Sequence, residues 1–173
     1  MATTFKAIAT ATLSSSTTAI NFTGIPQTFT HLWVIGQVGT DYTTGTYMHI
    51  APNNVTSSTY DYQTIFVGNG SITMRSGASS DKSVGLAEMV SATSTGCFLG
   101  FELIYPAYTS TSLGNNSWLY NVNGARTTTS TDYRGSWGTA SNNETAAITS
   151  LNLYLDYSAN FVAGSKITLY GLD

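Results

Sequence analysis

Charge is scarce in this sequence. Charged residues make up 9% of its 173 residues, against about 25% in an average soluble domain, and serine and threonine fill most of the difference. The six basic residues are scattered along the chain, and the formal net charge is −3. Proteins that bind nucleic acid or an anionic membrane present clustered lysine and arginine. The sequence therefore predicts neither nucleic acid nor a membrane as a partner.

Cysteine and histidine are nearly absent as well. The chain has one cysteine, Cys97, and two histidines, His31 and His49. A single cysteine excludes a disulfide within the chain, and the apolar neighbours of Cys97 predict a small core residue. Neither histidine has the spacing of a closed metal site. We expect no metal and no cofactor, although the sequence leaves open whether loop aspartates bind calcium.

Groups that could carry out catalysis are few. Glu88 and Glu102 lie on neighbouring predicted strands and are one candidate carboxylate pair. The alternative carboxylates lie in predicted loops: Asp41, Asp61 and Asp132. The run Gly-Ser-Trp-Gly at residues 135–138 lacks the spacing of a serine nucleophile and predicts a turn. We predict no catalytic residues, and an enzyme that degrades surface polymers is the weakest of three hypotheses.

Long apolar runs are also missing. The chain begins Met1-Ala2-Thr3-Thr4-Phe5-Lys6 and passes directly into alternating residues, without a basic segment followed by a continuous apolar one. We therefore expect no signal peptide and no spanning helix, and synthesis in the cytoplasm. Glycosylation requires secretion, so the Asn-x-Ser/Thr sequons are explained by the high serine and threonine content.

Alternation of apolar and polar residues is the dominant pattern of the chain. No stretch predicts an amphipathic helix of more than about two turns. The chain contains 11 Tyr, 7 Phe and 3 Trp, and such aromatic content argues against disorder. The pattern predicts one all-β domain over residues 1–173, an antiparallel jelly roll or β-sandwich of about 8–10 strands.

Individual strands follow from the same alternation. Phe5, Ala7 and Ala9 share one set of alternating positions, and residues 28–36 are apolar on both faces, which predicts an interior strand. Turn residues predict two hairpins, which join residues 64–67 to 72–74 and residues 83–91 to 97–105. Polar stretches predict loops at residues 40–45, 76–82, 110–116 and 127–143.

Several aromatic residues lie in or near the predicted loops. Aromatic side chains provide a large contact area at low entropic cost, so they suit a protein interface or stacking on a sugar ring. Ordinary packing in the core is the alternative for each of them. The candidates for interface or glycan-stacking residues are Tyr60, Tyr108, Trp118, Tyr133 and Trp137.

Five segments of the chain form motifs. Residues 22–32 read Phe-Thr-Gly-Ile-Pro-Gln-Thr-Phe-Thr-His-Leu, and residues 161–172 contain Gly-Ser and end in Leu-Tyr-Gly-Leu. Between them lie Asn53-Asn54 with Ser58-Thr59-Tyr60, then Gly135-Ser136-Trp137, then Ala-Ile-Thr-Ser-Leu at residues 147–151. In these motifs the chain resembles small structural proteins of tailed bacteriophages, including phages of cyanobacteria and other aquatic bacteria. Phe29 stands where tyrosine is commoner in that family, and Asn54 where aspartate is usual.

The resemblance implies a jelly-roll-like virion component without cofactor or catalytic residues. The first hypothesis is a capsid decoration (cement) protein, made in the host cytoplasm, that binds the major capsid protein as a homotrimer. The alternative is a tail-associated adhesion module, whose partners are a host-surface glycan or other tail proteins. The motif residues also have a purely structural explanation, since turns and strand faces need them to maintain the fold.

Overall fold

A computed structural model describes residues 4–42, 46–56, 60–68, 70–81, 84–89, 98–112, 116–125 and 133–173. Side chains are described for the same residues except 78–81, 84–89, 125 and 133. The described residues form twelve strands, more than the expected number. The strands are β1 (Phe5–Thr12), β2 (Ala19–Thr23), β3 (His31–Val38), β4 (Thr46–Pro52), β5 (Tyr60–Gly68), β6 (Ser71–Asp81), β7 (Val84–Met89), β8 (Leu99–Tyr105), β9 (Asn116–Ala125), β10 (Tyr133–Asn142), β11 (Ser150–Leu155) and β12 (Lys166–Leu172).

The strands form two antiparallel sheets. The larger sheet has eight strands in the order β1-β12-β3-β8-β9-β10-β5-β6, and the smaller has four in the order β2-β11-β4-β7. Buried side chains of both sheets belong to one core cluster, as expected for two sheets packed face to face. The predicted all-β antiparallel sandwich is confirmed, and β3 is an interior strand, as its two apolar faces indicated.

The core is built from the alternating apolar positions. Leu99, Phe101, Leu103 and Tyr105 of β8 all point inward and are at most 4% exposed. The other strands that bury alternate apolar residues are β3 (Leu32, Val34), β4 (Met48, Ile50), β9 (Trp118, Tyr120, Val122), β11 (Leu151, Leu153, Leu155) and β12 (Ile167, Leu169). Alternation places successive side chains on opposite faces of a sheet, so the same strands also determine what the outer faces display.

A bulge divides the first strand. Ala7 pairs with Tyr170 and Ala9 with Leu169, and the register shifts between them. An extra residue in a strand changes the face on which the following side chains lie. Ala9 packs against the core, whereas Phe5 is 56% exposed. The expectation that Phe5, Ala7 and Ala9 occupy equivalent alternating positions is therefore wrong, and Phe5 lies on the outer side of the larger sheet.

The predicted loop at residues 127–143 contains a strand instead. Residues 134–142 pair with β5, and residues 133–142 pair with β9. The inward positions of β10 carry small or polar residues because the large rings of β9 fill the space beside them; a Cβ on Gly138 would lie 2.6 Å from the Tyr120 ring. Alternation of hydrophobicity is therefore weak in β10, and residues 135–138 form part of this strand rather than a turn.

One of the two predicted hairpins is present. Gly68 pairs with Ser71, so β5 and β6 form the expected hairpin, although β6 extends through most of the predicted loop at 76–82. The other hairpin is wrong, because β7 pairs with β4 in the smaller sheet and β8 pairs with β3 and β9 in the larger one. Turn chemistry indicates where a chain reverses and does not decide which sheet each strand joins. Cys97 lies outside the described residues.

Candidate interaction surface

Three of the five aromatic candidates lie in the core. Tyr60 is fully buried, and Tyr108 and Trp118 are each 1% exposed. The Trp118 ring centroid lies 6.1 Å from that of Tyr60 and 5.3 Å from that of Tyr105. Rings enclosed by the protein cannot stack on a sugar or contact a partner. The core-packing alternative therefore holds for these three residues. The expectation that they form an interface or stack on a glycan is wrong.

Of the buried candidates, Tyr60 and Tyr108 have hydroxyl groups that are hydrogen-bonded and protonated. The Tyr60 hydroxyl donates to the Val55 carbonyl oxygen at 2.7 Å, and the Tyr108 hydroxyl donates to the Pro26 carbonyl oxygen. Burial raises the pKa of Tyr60 to about 12. Burial also raises the pKa of Tyr108. These groups are neutral structural elements at physiological pH.

Trp137 is the candidate that reaches solvent. It lies in β10 on the outer side of the larger sheet and is 42% exposed. A Cβ on Gly135 would come within 3.0 Å of Cη2 of this indole, so the ring extends along its own strand over a position that has no side chain. Tyr133 begins the same strand, and its side chain lies outside the described part of the structure.

The histidines and acids are engaged separately. The Ala107 amide donates to Nδ1 of His31 at 3.1 Å, and Nε2 of His49 lies 2.8 Å from Asp156. Glu102 accepts a hydrogen bond from Asn121 at 3.3 Å. Glu88 belongs to β7 in the smaller sheet, so the expectation that it neighbours Glu102 across a strand pair is wrong. Among the described residues, no group of three or more histidine, cysteine or acidic side chains has a geometry that could hold a metal.

Three of the sequence motifs meet at one corner of the sandwich. The Ile25 amide donates to the Thr149 carbonyl oxygen at 3.0 Å. Asn53 accepts a hydrogen bond from the Thr149 amide at 2.8 Å and donates to the Ala147 carbonyl oxygen at 3.0 Å. These bonds tie residues 22–32 to the loop that precedes β11, so the motif residues here hold the fold together.

The outer side of the larger sheet carries a continuous line of large apolar side chains. Leu119 pairs with Ile104, Ile104 with Trp33, and Trp33 with Tyr170. The Phe5 ring lies edge-on to Trp33, with centroids 5.5 Å apart. Leu119 is 52% exposed and Ile104 is 38% exposed. We name these five residues the apolar row; it crosses β9, β8, β3, β12 and β1 and holds no charged side chain.

Sequence reasoning found only part of this surface. Apolar residues at consecutive positions, as in Leu103-Ile104 and Leu119-Tyr120, mean that both faces of a strand are apolar. The same signal predicts an interior position for β3, and it also marks an outer face that another surface can cover. Further outward residues are exposed near the β6 edge: Ile65, Ile72 and Met74.

Comparisons with protein-family models, with curated proteins and with solved structures give no match to this chain. Within the described residues, no helix is long and apolar enough to cross a membrane.

Proposed function

We propose that this chain is a structural protein of a bacteriophage virion, a capsid decoration (cement) protein that binds the outside of the major capsid shell and stabilises it. The apolar row is the observation that carries the proposal. Covering apolar surface contributes about 25 cal/mol per Å². The residues of the row leave water without the desolvation penalty that charged groups would impose. A large apolar surface on the outside of a fold is typical of a protein interaction site.

The shape of the surface indicates the kind of partner. Five neighbouring strands about 4.8 Å apart span roughly 20 Å, and a sheet offers a broad, shallow surface without a deep cleft. A stable interface covers about 800 Å² on each partner. The partner is therefore a broad protein surface of low charge, for which we propose the major capsid protein.

Self-association strengthens this mode of binding. The homotrimer rests on the resemblance to phage structural proteins and belongs to the proposal. Three copies that bind symmetry-related shell sites gain effective concentration from each site already engaged, so that modest contacts suffice.

The proposal is tested by sedimentation of purified protein with empty capsid shells of the encoding phage, and by quantitative mass spectrometry of purified particles. We expect saturable co-sedimentation and hundreds of copies in each virion. Protein that remains monomeric and does not sediment with shells contradicts the proposal.

A tail-associated adhesion module is the second candidate, and the solvent-exposed Trp137 favours it. The same particles distinguish the two, because a tail location corresponds to a few or a few dozen copies in each virion. Copy number separates the candidates without reference to any ligand.

A further inference from the structure

A groove lies on the outer side of the larger sheet, on the half formed by β6, β5, β10 and β9. Two depressions of about 600 Å³ and about 430 Å³ form it. Both are lined by Gln63, Ser76 and Thr139, so they are continuous. These three residues face one another across neighbouring strands. Ile65 and Trp137 form the next residue pair along β5 and β10, and their larger side chains stand above the floor of the groove.

The wall of the groove provides an aromatic platform. Trp137 lines the smaller depression and is 42% exposed. Its indole extends over Gly135, where any Cβ would lie 3.0 Å from Cη2. The missing side chain at Gly135 thus leaves the space that the ring occupies. Pyranose rings present C–H groups to such a surface, and an aromatic face offers apolar contact beside polar groups.

Polar groups continue on the far side of Trp137. Asn121 is its direct partner on β9. The Asn123 side-chain amide donates to Asn121 at 2.7 Å, and the Asn121 side-chain amide donates to Glu102 at 3.3 Å. The chain of hydrogen bonds orients these side chains beside a third depression of about 270 Å³. Donors and acceptors for hydroxyl groups therefore lie on both sides of the indole.

The charges around this surface favour a neutral ligand. Carboxylates lie at both ends, with Asp61 in the larger depression and Glu102 in the third. Among the described lining residues, the cation is Arg75, which donates to the Tyr47 hydroxyl at 3.0 Å and lies 4.7 Å from the centre of the Phe66 ring. An anionic sugar would meet two like charges and a cation already engaged elsewhere, whereas neutral hydroxyl groups can donate to both carboxylates.

We infer that this groove binds a neutral oligosaccharide, with one pyranose ring stacked on Trp137 and its neighbours hydrogen-bonded to Gln63, Thr139 and Asn121. The inference does not depend on a capsid location. The apolar row and the groove adjoin on the same outer face, where Leu119 of the row pairs with Thr139 of the groove. They share no side chain, so a shell and a sugar would contact different residues.

The test is an array of neutral, sialylated and uronic-acid oligosaccharides, followed by titration of the best neutral ligand while tryptophan fluorescence is recorded. We expect binding of neutral members only. Trp137→Ala should weaken binding roughly tenfold or more. Trp137→Phe should retain part of the affinity, and Gly135→Ala should lower it by displacing the ring. Melting temperatures of the variants establish that each is folded.

Ile104→Ala is the matched control, because it removes an exposed apolar side chain from the apolar row and leaves the groove intact. It should bind sugar as the wild type does. The inference is overturned if the wild type binds no neutral oligosaccharide at millimolar concentration, if only anionic sugars bind, or if Trp137→Ala binds as tightly as the wild type. If Ile104→Ala loses shell binding and keeps sugar binding, the result supports the role of the apolar row in decoration and leaves the inference about the groove standing.

Discussion

The two sheets of the sandwich bury their inner faces in the same way and differ in their outer faces. The larger sheet displays the apolar row, with Leu119 52% exposed and Phe5 56% exposed. The smaller sheet displays Asn21 and Thr23, which are exposed, beside half-buried polar and aromatic groups. There His49 stacks on Tyr154, with ring centroids 5.2 Å apart. A sandwich needs only its inner faces to be apolar, so the outer apolar residues are not explained by folding.

The difference identifies outer apolar residues that the stability of the sandwich does not require. Exposed apolar side chains on a sheet promote unwanted association. A chain with so few charges has little repulsion to counteract it. The apolar row is consistent with a surface that a partner covers, and the polar outer face of the smaller sheet with one that remains in water.

The largest expected effect comes from breaking the sheet that supports both outer-face sites. A Cβ at Gly138 would lie 2.6 Å from the Tyr120 ring and still closer to the Gln63 carbonyl oxygen. Overpacking of this kind costs about 1–3 kcal/mol and more where backbone blocks relaxation, so Gly138→Ala should lower the free energy of unfolding by about 3 kcal/mol. Thr139→Ala, at the next position on the outer side, should change it by less than about 0.5 kcal/mol. Chemical denaturation of both variants measures the difference.

The second-largest effect tests whether the outer faces of the two sheets differ in shell binding. Ile104→Glu combined with Leu119→Glu places two charges in the apolar row, and each must be desolvated when a shell covers it. Shell affinity should fall about a hundredfold, or about 2.7 kcal/mol. Asn21→Glu adds a charge to the outer face of the smaller sheet and should leave affinity within about twofold. Equal loss of co-sedimentation in both proteins would show that the two faces do not differ.

A third prediction concerns the tyrosines of the core that the sheets share. Burial raises the pKa of Tyr60 to about 12 and that of Tyr105 well above its usual value. The unfolded chain loses these protons near pH 10, so above that pH it binds fewer protons than the folded protein does. Stability is therefore complete below pH 10 and falls as the pH rises, by about 1.4 kcal/mol per pH unit for each such tyrosine. Tyr60→Phe should make the fall in melting temperature between pH 10 and 12 less steep; an unchanged slope would contradict it.

The smallest effect belongs to the polar outer face. Nε2 of His49 lies 2.8 Å from Asp156, whose side chain is 38% exposed. Ion pairs that water reaches contribute about 0–1 kcal/mol, because solvent screens them. Asp156→Asn should lower the free energy of unfolding by less than about 1 kcal/mol and leave shell binding unchanged. A larger loss of shell affinity would assign a docking role to the smaller sheet.

The sequence predicted the fold where alternation was strong and failed where it was weak. β8 and β11 bury every second residue, in keeping with the strong alternation that predicts an all-β fold. β10 was assigned to a loop because its inward positions hold Ser136, Gly138, Ala140 and Asn142, which are small or polar. Their fit depends on aromatic rings of β9 and on pairing with β5, and local sequence carries no record of such non-local partners.

The candidate site was predicted less completely than the fold. Alternation gives the side of the strand on which a residue lies but not which side becomes solvent-exposed. Trp118 and Trp137 are therefore equivalent candidates in the sequence, although Trp118 is in the core and Trp137 is exposed. The apolar row joins residues from strands far apart in the chain, and its continuity depends on sheet order. Phe5 joins it only because of the bulge after Ala7, which period-two reasoning does not anticipate.

The central claim is that the larger sheet, through the apolar row, is the surface that meets the capsid shell. A cryo-electron-microscopy reconstruction of shells saturated with the protein tests it most directly. We expect density for the chain outside the shell, with the larger sheet facing the major capsid protein and Trp33, Ile104 and Leu119 covered. Density in which the smaller sheet faces the shell, or shells that remain bare at saturating protein, would contradict the claim.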